Sequence, residues 1–127
     1  SIDTIKLCLP VFTDMIATMR INKDKMRKGA GGGFTNATDA ADYLVKKGVP
    51  FRNAHEIIGK LVFYSIEQKK SLEQLEFAEF KQFSDVFEND VYEAISLESC
   101  VAKRISRGST GYESVGEQLK YVAEFLK

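Results

Sequence analysis

The sequence has no tryptophan, two prolines, two cysteines and a single histidine in 127 residues, and its eighteen Lys and Arg are matched by eighteen Asp and Glu. Each shortage excludes something. Cys8 and Cys100 stand far apart and outside any CxxC or Cys/His cluster. They predict reduced thiols in a cytoplasmic protein rather than a disulfide framework or a zinc site. A formal net charge of zero supplies no overall attraction to a polyanion, so no nucleic-acid partner is expected. There is no run of about eighteen apolar residues, and the start, SIDTIKLCLP, lacks the basic flank and small-residue cleavage site of a signal peptide. No membrane partner is predicted. With 44% hydrophobic and 28% charged residues, the composition excludes collagen-like, low-complexity and disordered classes. The first residue is Ser1 and the apolar pattern begins at once, so the chain is expected to continue a longer polypeptide.

What the sequence does have is helical periodicity. Ile2, Ile5, Leu9, Phe12, Ile16 and Met19 alternate steps of three and four, the spacing of a helix laid along a bundle seam. Cys8, Val11 and Met15 broaden the stripe. Pro10 interrupts it, since an interior proline removes a hydrogen bond and clashes with the preceding turn at about 3 kcal/mol. A kink or a fresh start is expected there. The run NKDKMRKGAGGGF then reads as a basic helical turn dissolving into Gly29, Gly31, Gly32 and Gly33, a predicted hinge over 29–33.

Asn36 is placed to cap the next helix, with Asp39 in its acidic first turn and Gly48 and Pro50 stopping it. Its narrow face is Ala37, Ala40, Ala41 and Leu44. Pro50 is then expected in the first turn of a long helix with Phe51, Ala54, Ile57, Ile58, Leu61, Val62 and Ile66 apolar. The short connection predicts a helix-turn-helix pair. Ser71 and Gln74 cap a short turn, and Phe77, Phe80, Phe83 and Phe87 are expected core anchors. DVYEAI forms a helical turn, followed by a helix capped by Ser96 and closed by Arg107 and Gly108. Thr110 and Glu113 form a capping box for a last helix carrying Tyr112, Val115, Leu119, Val122 and Leu126. No segment alternates as a strand does, so the fold class is all-α.

No catalytic constellation emerges from these residues. His55 lies inside the long helix, and no spacing supplies the orienting partner and reacting group that a general base needs. Lys103 and Arg104 near Cys100 weakly favour a thiolate, but both cysteines read as buried thiols. GAGGG follows a basic turn rather than a strand and lacks the GK[ST] ending of a phosphate loop. Arg20, Lys23, Lys25, Arg27 and Lys28 lack interleaved aromatics and read as a solvated face. Asp39 with Asp42, and Glu76 with Glu79, read as exposed carboxylates. Ser109 and Thr110 precede a helix and could meet an anion, although Thr110 is expected to be occupied as a cap.

The segment GFTNATDAADYLVKKGVPFRNAHEIIGKL closely resembles a block near the C-terminus of argininosuccinate lyases. Upstream, MIATMRINKDKMRK resembles the end of a bundle helix in that family. Downstream, Ser99, Val101, Arg104, Gly108, Thr110, Val115 and Gln118 fall where its closing SV-x-x-R, GGT and V-x-x-Q elements lie. Pro10, the rich glycine run and STGYES depart from the family pattern.

The resemblance implies a C-terminal fragment of a nearly all-helical, homotetrameric enzyme that splits argininosuccinate into fumarate and arginine without metal or cofactor. The implied organisation is 1–28 as the end of a bundle helix and a basic turn, 29–33 as the hinge, and 34–127 as a C-terminal helical domain. The family's serine loop, SS-x-MP-x-K-x-N, is absent, and its catalytic histidine belongs to a different motif from that of His55. No catalytic, cofactor or metal residue is therefore assigned, and the chain alone is expected to be inactive. Asn36, Asp39, Asp42, Tyr43, Gly48, Pro50, Phe51, Arg52 and Gly59 read as caps, stops and helix contacts, with Arg52 and His55 expected to brace the domain against the rest of the subunit. The competing expectation is a stand-alone helical interaction module that binds a partner helix through the seam of residues 2–19.

Overall fold

The computed structural model describes residues 1–127 and contains helices and turns but no strand. The order is α1 (Ile2–Thr18), α2 (Lys23–Gly31), α3 (Ala37–Lys46), α4 (Phe51–Glu67), a 3-10 turn (Leu72–Gln74), α5 (Phe77–Lys81), α6 (Val91–Ile95), α7 (Leu97–Ala102) and α8 (Tyr112–Phe125). This is the all-α class predicted from the periodicity. None of the helices is long and apolar enough to cross a membrane.

The centre of the fold is the α3–α4 pair. Gly48 adopts φ +94, a left-handed conformation that costs glycine little. Its N–H donates to the Val45 carbonyl at 2.9 Å, and the Val49 N–H donates to the Leu44 carbonyl at 3.0 Å. These two bonds satisfy carbonyls that the end of α3 would otherwise leave open. Pro50 lies just outside α4 rather than in its first turn, and its carbonyl accepts from the N–H groups of Asn53 and Ala54. Ala40, Ala41 and Leu44 on α3 are buried with Ala54, Ile58 and Leu61 on α4, and the alanines leave room for close approach. Phe51 and Ile66, two of the apolar positions of this helix, are exposed.

Two of the four phenylalanines anchor the remaining core. Phe80 and Phe87 are fully buried, while Phe77 and Phe83 are half-buried. Phe80 packs edge-on to Phe87 at 5.2 Å and to Tyr92 at 5.7 Å. Each full burial contributes about 2–3 kcal/mol relative to exposure. Leu72, Leu75, Val91 and Ile95 close the core around them. Ser71 and Gln74 bracket the 3-10 turn as expected, the Ser71 N–H donating to the Gln74 side chain at 2.9 Å.

Several local expectations are corrected. α1 runs through Pro10 without a fresh start, even though proline has no N–H to give to the previous turn. α2 persists through Gly29 and Gly31 before the chain turns at 32–36. Asn22 caps α2, accepting from the Lys25 N–H at 3.0 Å.

α7 stops at Ala102, well before Arg107 and Gly108. α8 is preceded by Gly111 at its cap position rather than Thr110. Position 111 requires glycine: its N–H donates to the Arg104 carbonyl, and a Cβ there would lie 2.1 Å from that same oxygen. Nothing on α1 is buried, and on α8 only Ser114 is. Their apolar stripes, including Leu9, Phe12, Leu119 and Val122, face outward.

Candidate functional site

Three polar clusters and one exposed helix face hold the side chains capable of chemistry. The first cluster joins α3 to the α7–α8 connection. Asp39, expected to be an exposed carboxylate in the first turn of α3, is instead buried, and it accepts from the Arg104 guanidinium at 2.9 Å. Its neighbour Asp42 is exposed. Cys100 lies beside the pair. Burial, followed by the nearby Asp39 carboxylate, pushes the Cys100 thiol up to about 11. The protonated thiol is a poor nucleophile. Cys8, expected to be buried, is exposed on α1.

Asn36 does not cap α3 with its side chain. Its backbone at φ −90, ψ 2 departs from the extended conformation that aims a capping side chain at the helix N–H groups. The amide turns inward instead, donating to the Ile95 carbonyl at 2.8 Å in a buried position. α3 and α6 are thereby tied together.

A second cluster fixes the approach to α6. The Tyr43 hydroxyl donates to Asp90 at 2.5 Å and accepts from the Glu88 N–H at 3.1 Å. Lys47 bridges Glu88 and Asp90 at 2.5 and 3.0 Å. Hydrogen bonds from Tyr43 and then Lys47 hold the Asp90 carboxyl below its ordinary range. Burial, followed by the hydrogen bond to Asp90, raises the Tyr43 phenol.

The third cluster centres on Glu79, which is largely covered although an exposed pair with Glu76 was expected. It accepts from the Glu76 N–H at 2.7 Å, the Tyr64 hydroxyl at 2.8 Å and the Lys70 ammonium at 3.0 Å. The backbone donor leads in holding its carboxyl down, with Lys70 and Tyr64 adding to it. All three clusters are internally paired and join elements of the fold. No buried side-chain polar atom lacks a partner, and no group of three or more His, Cys, Asp and Glu is gathered in a metal-ligating arrangement.

The remaining site residues are dispersed. His55 and Arg52 are exposed on α4, and the His55 ring tilts against Phe51 at 6.3 Å. His55 also borders an open groove of about 610 Å³ with Glu56, Gly59, Lys60 and Phe63. Of the basic run, Arg27 pairs with Glu98 on α7 at 2.5 Å. The Ser109 hydroxyl donates to the Arg104 carbonyl, and Thr110 is exposed and does not cap α8. The Asp39–Arg104 link was missed because its partners are far apart in sequence. The only signal for it was Arg104 falling in the closing SV-x-x-R element.

Comparison with known proteins gives this arrangement its context. Residues 34–102 match the family model described as Argininosuccinate lyase C-terminal. The chain is 58% identical over 126 residues to the argininosuccinate lyase of Acetivibrio thermocellus, covering 99% of this chain and 28% of that protein. It is 54% identical over 127 residues to that of Desulforamulus reducens, covering 100% of this chain and again 28% of the relative. The chain therefore spans little more than a quarter of the length of these relatives. Among solved structures, an EDDS lyase variant with bound fumarate has the same fold, with a TM-score of 0.76 at 24% identity over 83% of this chain and 23% of the other.

Proposed function

This chain belongs to the argininosuccinate lyase C-terminal family, and from that membership we propose that it is the closing helical domain of a polypeptide that cleaves argininosuccinate to fumarate and arginine. The reaction is a β-elimination. A base takes the proton beside a carboxylate, the C–N bond breaks, and the guanidino nitrogen leaves with a proton. This chain's own part is structural. Its polar clusters are each paired internally, and the serine loop of the family is not in its sequence. The domain completes a subunit of a cytoplasmic homotetramer, with the outward stripe of α1 meeting other bundle helices, and moves as a unit at the glycine-rich segment 29–33 when substrate binds.

The observation that supports this reading is identity of 58% across 99% of the chain, which includes the peripheral helices as well as the core. The test is fumarate release from argininosuccinate, followed by ultraviolet absorbance. It is run on these 127 residues and on the polypeptide extended to the length of the relatives. Activity only in the extended polypeptide is expected. Turnover by this chain alone would overturn the structural role, and silence in both would favour the helical interaction module that binds through the α1 stripe.

A further inference from the structure

α4 has two faces, and only one is used within this chain. Ala54, Ile58, Leu61 and Ser65 are buried against the core. Around the outer side, Phe51, His55, Gly59 and Phe63 follow one another at intervals of one helical turn. Phe51 is 63% exposed and Phe63 is 64% exposed. These large rings lie outside the hydrophobic cluster.

Gly59 sits between them. Glycine is among the least favourable residues inside a helix, so a mid-helix glycine calls for a reason. Within this chain there is none. It has no left-handed backbone, and a Cβ built there meets nothing within 4 Å. What the missing side chain creates is a notch in an open groove of about 610 Å³, one turn from His55 on one side and from Phe63 on the other. Along the rim, Glu56 and Lys60 pair at 2.7 Å and Glu67 adds a further carboxylate, so the groove presents an apolar centre beside a net acidic edge. That is the pattern of a protein interface rather than of a polyanion site.

We propose that the outer face of α4 is a helix-docking surface whose occupant is a helix of the same lyase polypeptide, from the part that precedes this domain, seated with its backbone close to the Gly59 notch. The identity of the occupant rests on the lyase reading. This chain covers 28% of its relatives, and the matching model is a C-terminal one. Most of a polypeptide of that length therefore lies upstream and is available to cover the face. The use of glycine here follows from close helix approach, in which a side chain at the crossing point would hold the two backbones apart.

The test uses the full-length polypeptide. Gly59→Ala and Gly59→Leu are compared by thermal unfolding, and p-benzoylphenylalanine at position 63 is photo-crosslinked and its partner mapped by mass spectrometry. Docking predicts a lower Tm for both substitutions, with Leu worse than Ala, and crosslinks to upstream helices of the lyase polypeptide. A higher Tm for both would show a free helix gaining propensity and would overturn the proposal. Crosslinks only to unrelated proteins, or none, would overturn it too. Fumarate release by the unsubstituted polypeptide is scored separately. Silence there with the expected Tm losses and crosslinks defeats the lyase reading alone, and full activity with raised Tm defeats the docking surface alone.

Discussion

Arg104, just beyond α7, donates to the buried Asp39 carboxylate of α3 across 65 positions of sequence, at 2.9 Å. The carbonyl of the same residue accepts from the Gly111 N–H at the entrance to α8. Arg104 thus ties the central helix pair to the last helix through both its side chain and its backbone.

Arg104→Ala should therefore destabilise this chain by about 2–3 kcal/mol in urea unfolding, because it strands a buried carboxylate. The value lies below that of a fully buried pair because the Arg104 side chain is 44% exposed. Arg104→Ala combined with Asp39→Asn should lose less than Arg104→Ala alone, since the uncompensated charge is gone. Equal losses would show that the stranded Asp39 charge carries no cost.

Asn36 discriminates between two roles. As a capping residue it would accept Asp with little loss. As the donor to the Ile95 carbonyl it cannot, because a carboxylate has no N–H. Asn36→Asp is expected to cost at least as much as Asn36→Ala, about 1–2 kcal/mol. Chemical denaturation of the two variants decides it.

The two cysteines should react separately. At neutral pH, a thiol reagent is expected to modify the exposed Cys8 rapidly and to leave Cys100 protected until denaturant is added. Raising the folded-state thiol from 9.0 to about 11 also sets a sign. The stability that Cys100 contributes is complete below pH 9 and declines as pH rises toward 11. Cys100→Ala should remove that alkaline decline.

For Glu79 the sign is opposite. Its folded carboxyl is held below the ordinary 4.5, so its contribution is present above that pH and is lost as pH falls through the lowered value. Glu79→Gln should flatten the acid limb of a Tm profile recorded between about pH 6 and 3. An unchanged acid limb would place the acid sensitivity elsewhere.

Local rules served well wherever the answer lay within one or two turns. Gly48 ends α3, Ser96 caps α7 through the Ser99 N–H, and Ala40, Ala41 and Leu44 form the inner face of α3. They failed where tertiary demand overrode local chemistry. Asn36 gave up the cap for a carbonyl on α6, Asp39 was drawn inward by Arg104, and the cap position expected at Thr110 fell to Gly111, whose N–H is bound by the Arg104 carbonyl. Phe51 and Ile66 illustrate a different limit. Periodicity identifies an apolar position, but not whether its partner belongs to the same chain. The family block from Gly33 to Leu61 was readable because it is a long match, whereas its chemistry lies in motifs that these residues do not contain.

The short connection between α3 and α4 has a kinetic consequence. Ala40, Ala41 and Leu44 find Ala54, Ile58 and Leu61 by closing a very short loop, so this helix pair needs little search and is expected to form on the fast side of the range for small domains. A ribosome releasing such a segment at the end of a long polypeptide would present a core ready to consolidate at once. The slow step would then be the encounter of its outward-facing helices with their neighbours.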